Sequence, residues 1–257
     1  MRQYETAVAH PDGTSTVERL AATAARHGYA GLVVTNAGET GAFDATGLRE
    51  RHGIDVVDGV AVAAPDIETA AGRLENVRSG SETRYTVVAV AAGSPDVARF
   101  AAERDRVDAL LLPAYRDVEF DHVVAAAAEE HAVRVALTLD GALRASGEER
   151  GRALRLLRRR REILDDAGAR PLVTAGARSH LGLRAPRELA AVGEAVGLSG
   201  ERVHEGLAGW GAVVDRIRER TGSEFVEPGV WRGRAGGREG DDGSGAGDPA
   251  DAEGERE

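Results

Sequence analysis

Nine residues, 177–185, bring Arg178, Ser179, His180 and Arg184 together directly behind a short apolar run at 171–175. Guanidinium groups grip phosphate through paired N–H donors, and an imidazole or hydroxyl adds a further hydrogen bond, so this composition suits an anion site. The apolar run, the polar connection and the amphipathic stretch that follows it predict a buried parallel strand feeding a crossover helix. Pro186 fits the first turn of that helix, where its missing N–H has no partner to lose. In a βα-repeat fold, residues just past a strand's C-terminal end sit on the face where ligands bind.

Histidine directs attention to metal chemistry. A metal-dependent phosphoesterase barrel needs several His, Asp and Glu ligands at its strand ends, beginning with a His-x-His pair after the first strand. That place reads His10-Pro11-Asp12, with a single histidine, and later strand ends offer Asn36, Pro113 and Asp140. His10, Asp12 and His180 are the residues such a centre would use. His27, His52, His122, His131 and His204 fall within or at the ends of predicted helices. No GxSxG, Walker loop or GxGxxG follows a strand, and aromatics are 4% of the chain, too few for a base-stacking platform.

The elements that must position these residues alternate regularly. Strands are predicted at residues 3–9, 31–35, 54–63, 85–91, 108–112, 133–139 and 171–175, each followed by a helix. Thr14, Ser15 and Thr16 can cap the first helix, Ser15 and Glu18 with the spacing of a capping box, and residues 140–147 are expected as a loop. No strand is expected after Leu198, and residues 200–220 read as a helix outside the sheet. This pattern predicts an α/β fold, an irregular TIM-like (β/α) barrel of about seven parallel strands over residues 1–232.

The helix pattern at 144–161 carries eight arginines and two glutamates, net +6. Ala153, Leu156, Leu157, Ile163, Leu164 and Ala167 form one apolar stripe, with Arg155, Arg158 and Arg159 opposite. Ion pairs of Arg158 with Glu162 and Arg161 with Asp165 account for part of the charge, and contact with RNA or a partner for the rest. Arg160 falls inside the stripe, where its head must find a carboxylate or leave at the helix edge.

All 33 basic residues are arginine, and the net charge is −10. An acidic excess without lysine resembles proteins that work in concentrated salt. At molar salt the screening length is about 3 Å, so phosphate must be held by close contacts rather than by a diffuse patch. There is no cysteine, which excludes disulfides and thiolate metal sites. The first thirteen residues lack an apolar signal core and no apolar run suits a membrane span, so a cytoplasmic protein is expected. Residues 235–257 hold eight acids and two arginines. Residues 233–257 are expected as a disordered acidic tail.

Several stretches together resemble one family: Tyr4-Glu5 with His10-Pro11-Asp12-Gly13, Gly28-Tyr29-Ala30-Gly31-Leu32-Val33-Val34, Val56-Val57-Asp58-Gly59-Val60, and above all Ser179-His180-Leu181-Gly182-Leu183-Arg184-Ala185-Pro186-Arg187-Glu188-Leu189. In order and spacing the chain resembles the ribonuclease P protein component 3 family, the p30 subunit of archaeal and eukaryotic enzymes, over residues 4–231. The resemblance implies a barrel related to the polymerase-and-histidinol-phosphatase type that lacks its ligand set. It implies a non-catalytic subunit of the ribonucleoprotein that removes the 5′ leader from precursor tRNA. The partners implied are ribonuclease P RNA and the small RNA-binding subunit, component 2. Magnesium is expected on the RNA, with no cofactor on the protein. The residues implied for RNA are Arg78, Arg84, Arg144, Arg178, His180, Arg184 and Arg187; the alternative for Arg184 and Arg187 is capping and pairing with Glu188. The competing function is a free-standing metal-dependent phosphoesterase.

The acidity carries an expectation for binding. In a filter-binding titration at molar salt, the isolated chain should bind RNA more weakly than nanomolar and tighten once its partner subunit is added.

Overall fold

The structure is a computed structural model that describes residues 1–37, 43–78, 85–114, 118–221, 225–227 and 230–231. Seven parallel strands form one sheet in chain order: β1 (Tyr4–Ala7), β2 (Gly31–Asn36), β3 (Asp55–Ala63), β4 (Val87–Ala91), β5 (Ala109–Leu112), β6 (Arg134–Thr138) and β7 (Leu172–Thr174). The intervening helices are α1 (Val17–Arg26), α2 (Ala45–His52), α3 (Ile67–Arg78), α4 (Pro95–Ala102), α5 (His122–Glu130), α6 (Asp140–Arg144) and α7 (Gly147–Asp166). After β7 come a single 3-10 turn, His180–Gly182, and the helices α8 (Pro186–Ala195) and α9 (Gly200–Thr221). The seven-stranded, irregular barrel read from the sequence is therefore present.

Alternation along the strands divides the core in two. Leu32, Val34, Val56, Val88, Leu110 and Val135 face outward and pack against helices. Tyr4, Val33, Val57, Val87, Ala109 and Leu172 form a separate inward cluster, together with Trp210, Val213, Val214 and Ile217 of α9. Helix α9 thus closes the N-terminal end of the barrel interior, a role that its sequence pattern alone did not assign. Gly206 lets it approach β7: a Cβ there would come 2.7 Å from Val173 Cγ2 and 2.9 Å from the Pro171 carbonyl oxygen. Trp210 Nε1 donates to the Val173 carbonyl at 3.0 Å. At the same end Asp55 accepts from the Tyr4 hydroxyl at 2.8 Å and from Arg218 at 2.7 and 3.1 Å. Burial, reinforced by Asp55, pushes the Tyr4 phenol up to about 12, so it stays a donor.

Four local expectations are corrected. Thr16, not Ser15, caps α1, accepting from the Arg19 N–H at 3.3 Å, because Ser15 is engaged elsewhere. Residues 140–144 are the helix α6 rather than loop, too short for its period to be read. Two short antiparallel strands, β8 (Phe225–Glu227) and β9 (Val230–Trp231), follow Leu198; with three and two residues they show no alternation. They belong to a separate unit, residues 222–257, distinct from the unit 1–221. The acidic tail lies outside the described residues. Finally, the head of Arg160 stays inside rather than leaving at the helix edge. It is 1% exposed and donates to the carbonyls of Leu112, Pro113 and Val118 at 3.3, 2.9 and 3.2 Å. Those carbonyls belong to the end of β5 and the following connection, so the two terminal nitrogens of a guanidinium inside the apolar stripe find main-chain acceptors.

Arg160→Leu should lower the unfolding free energy by about 3 kcal/mol, because it leaves buried carbonyls unpaired. The exposed Arg159→Leu should change it by no more than about 0.5 kcal/mol. Denaturant melts of both variants at constant salt check this.

Candidate nucleic-acid interface at the strand mouth

The edge strands β1 and β7 have no ladder between them; one isolated bridge, Ala7 to Ala177, lies at their mouth. Val8 N–H donates to the Ala177 carbonyl at 2.8 Å and Thr14 N–H to the Arg178 carbonyl at 2.8 Å. Below them Glu5, with no exposed surface, fills the seam. It accepts from Thr174 Oγ1 at 2.6 Å, from the Ala175 N–H at 3.2 Å and from the Thr6 N–H at 2.8 Å. The Tyr29 hydroxyl lies 3.2 Å from Glu5 Oε2 and 2.8 Å from the Arg184 carbonyl. Burial pushes the Glu5 carboxyl up to about 7, against the lowering effect of these donors. Burial and the neighbouring carboxylate push the Tyr29 phenol up as well, so it remains a donor to the loop.

That loop is the arginine-rich stretch after β7. Ser15 Oγ accepts the His180 backbone N–H at 3.0 Å and lies 2.8 Å from His180 Nδ1. When the hydroxyl proton is given to Nδ1, the ring keeps its own proton on Nε2 as a donor. Gly176, at the start of the loop, has φ +59, and a Cβ there would meet Thr138 Cγ2 at 2.4 Å. Half-buried Arg144 donates to the Ala175 carbonyl at 3.1 Å and to that of Gly182 at 3.5 Å. Desolvation lowers its guanidinium from the ordinary value. Arg184 donates to the Leu181 and Leu183 carbonyls at 3.0 and 2.8 Å. Arg178 is exposed and donates to the Asp12 carbonyl. Arg187 is exposed and has no ion pair or hydrogen bond among the described residues.

The structure therefore brings Arg144, Arg178, His180 and Arg184 to one loop, with Arg187 one turn into α8. Neither Arg184 nor Arg187 pairs with Glu188, whose Oε2 instead caps α8 by accepting the Ala185 N–H at 2.7 Å. Arg84 and the side chain of Arg78 lie outside the described residues. Most arginines of α7 are spent on the protein. Arg150 donates to the Ala142 carbonyl, Arg158 to that of Ala195 rather than to Glu162, and Arg161 to Asp165 and Glu162. Arg155 and Arg159 stay exposed.

The residues a metal centre would use are not gathered. His10 is exposed, and Asp12 Oδ2 accepts the Ala37 N–H at 2.7 Å. The Asn36 carboxamide clamps Ala9 through its N–H and carbonyl at 2.8 and 2.9 Å. Among the described residues no group of three or more His, Asp or Glu is placed to hold an ion. Sequence reasoning missed Glu5, Ser15, Tyr29 and Asn36 as the groups that shape the mouth. A carboxylate inside an apolar strand, as at Glu5, was the available signal.

A near-closed seven-stranded barrel with an arginine-bearing, internally braced loop at its strand mouth defines the class. A family model described as RNase P subunit p30 matches residues 2–221. The chain is 45% identical over 228 residues to ribonuclease P protein component 3 of Haloarcula marismortui, covering 88% of this chain and 95% of the relative. It is 29% identical over 223 residues to the Methanosarcina barkeri protein of the same name, covering 86% and 90%. A chain in a cryo-EM structure of archaeal ribonuclease P with mature tRNA matches with TM-score 0.72 at 18% identity, covering 89% of this chain and 96% of that one. A crystal structure of an amidohydrolase matches with TM-score 0.52 at 11% identity, covering 85% and 75%; it shows the same barrel fold. The chain belongs to the RNase P subunit p30 family.

The buried Glu5 makes stability depend on pH. Its carboxyl titrates near 7 folded and near 4.5 unfolded, so the folded state holds the proton more tightly. The stabilisation is fully present below about pH 4.5 and is lost as pH rises through 7. Relative to Glu5→Gln, the protein should lose on the order of 3 kcal/mol across that window. Denaturant melts of both proteins from pH 4.5 to 8 check the slope; a constant difference contradicts it.

Proposed function

We propose that the protein acts as a subunit of ribonuclease P in removal of the 5′ leader from precursor tRNA, binding and shaping the catalytic RNA rather than doing chemistry itself. The observation that carries the proposal is the family match over residues 2–221, almost the whole of the barrel unit. Arg178 and Arg187 hold RNA phosphate directly, and His180 adds one donor. Arg144 and Arg184 serve the same surface mainly by holding its loop through carbonyls. Arg78 and Arg84 extend the contact. Component 2 of the same particle is its protein partner, magnesium sits on the RNA, and the protein carries no cofactor. No helix among the described residues is long and apolar enough to cross a membrane, which agrees with action in the cytoplasm.

Reconstitution with ribonuclease P RNA and the other protein subunits tests this. Precursor tRNA cleavage should fall when this chain is left out, while the chain alone with manganese or zinc should hydrolyse no phosphoester. Arg178→Gln combined with Arg187→Gln should weaken assembly on RNA about tenfold and reduce its salt dependence without changing the melting midpoint. A phosphatase activity abolished by His10→Ala would replace the proposal with the metal-dependent phosphoesterase reading.

A further inference from the structure

Barrels of this kind fill their interior with layers of bulky branched side chains. The lower layer here does so, but apart from Leu111 of β5 the next positions along the strands are Thr6, Thr35, Ala61, Ala91, Thr138 and Thr174, which line a cavity of about 810 Å³ at the strand mouth. The volume is that of a small-molecule site rather than a packing defect.

The polar groups in it are partly unused. Thr35 and Thr138 are 4% and 9% exposed, and neither hydroxyl has a hydrogen-bond partner among the described residues. Neither oxygen is among the buried unpaired atoms, so both hydroxyls open into the cavity, where a ligand can meet them. The Asp140 carboxylate also lines the cavity; one of its oxygens takes only a long contact, 3.4 Å, from the Ala114 N–H. Desolvation raises the Asp140 carboxyl above its ordinary value, so its charged form lacks full solvation there. Asp12 and the exposed Arg178 stand at the rim. The two carboxylates only accept, the threonine hydroxyls accept or donate, and the short side chains of Ala61 and Ala91 leave room for a flat ring.

We propose that the strand-mouth cavity binds a nucleobase carrying an exocyclic amine, one amine N–H received by Asp140, the hydroxyls of Thr35 and Thr138 on other polar atoms of the base, and Arg178 on the attached phosphate. Uracil fits least well, because it has no exocyclic amine to give to Asp140. The base comes either from a free nucleotide or from an unpaired residue of bound RNA. Only the second source rests on the ribonuclease P reading.

The test uses the full chain, labelled at alanine and threonine methyls, titrated by NMR in molar potassium chloride with AMP, CMP or UMP. The expected result is saturable shifts at Thr35, Thr138, Ala61 and Ala91 with AMP and CMP, and at least tenfold weaker binding of UMP. Thr35→Val combined with Thr138→Val should weaken AMP binding at least tenfold while the melting midpoint stays the same or rises. No saturable shift with AMP or CMP, equal binding of UMP, or undiminished binding by the double variant would overturn the proposal. In the reconstituted particle, loss of AMP binding identifies the RNA as the source, and retained binding identifies the free nucleotide. If the particle does not assemble, the mononucleotide titration still decides the site.

Discussion

The Glu5 carboxylate sits where the sheet has no backbone ladder to close it. Seven strands with a three-residue β7 leave donors along the β1–β7 seam, namely the Ala175 N–H and the Thr174 hydroxyl, without a facing strand. An acceptor with two oxygens satisfies them from one side chain, at the cost of burying a carboxyl whose titration moves up to about 7. Burial, which favours the neutral form, outweighs the hydrogen bonds that favour the charged form. The barrel thus closes through a side chain rather than through a strand pair.

That closure also fixes the surface the family match makes interesting. Tyr29 links Glu5 to the Arg184 carbonyl, Ser15 holds His180, and Arg144 ties Ala175 to Gly182. The loop after β7 is therefore held by β1, by the start of α1 and by α6. A braced loop presents Arg178 and Arg187 with little conformational entropy left to lose on binding. In concentrated salt, where long-range attraction is screened, such preorganised contacts matter more than the sign of the whole surface. The protein is acidic overall, and its positive groups act locally.

Much of this was legible in the sequence. The strands were readable because parallel, doubly covered strands are continuous apolar runs of Val, Leu and Ala, as in β2 and β4. Their number and spacing gave the barrel, and the cluster at residues 178–187 marked its mouth. What remained hidden depends on contacts between residues far apart in the chain. Ser15 has the spacing of a cap, but His180 lies 165 positions away and takes its hydroxyl. Arg160 looked misplaced because the carbonyls it satisfies belong to the end of β5 and the connection after it. Helix α9 showed an amphipathic pattern, yet only the inward cluster of Tyr4, Val33 and Leu172 shows that its apolar face plugs the barrel. The arginines also divide in a way that composition does not reveal: Arg144 and Arg184 serve the fold, while Arg178 and Arg187 face outward.

Hydrogen–deuterium exchange of the chain, before and after assembly with ribonuclease P RNA and the partner subunits, tests the central claim most directly. The account predicts new protection at residues 12–15 and 176–187, the braced strand mouth, with α9 at the opposite end unchanged over residues 206–215. Protection confined to α9 and the N-terminal ends of the strands, with residues 176–187 exchanging as before, would contradict it.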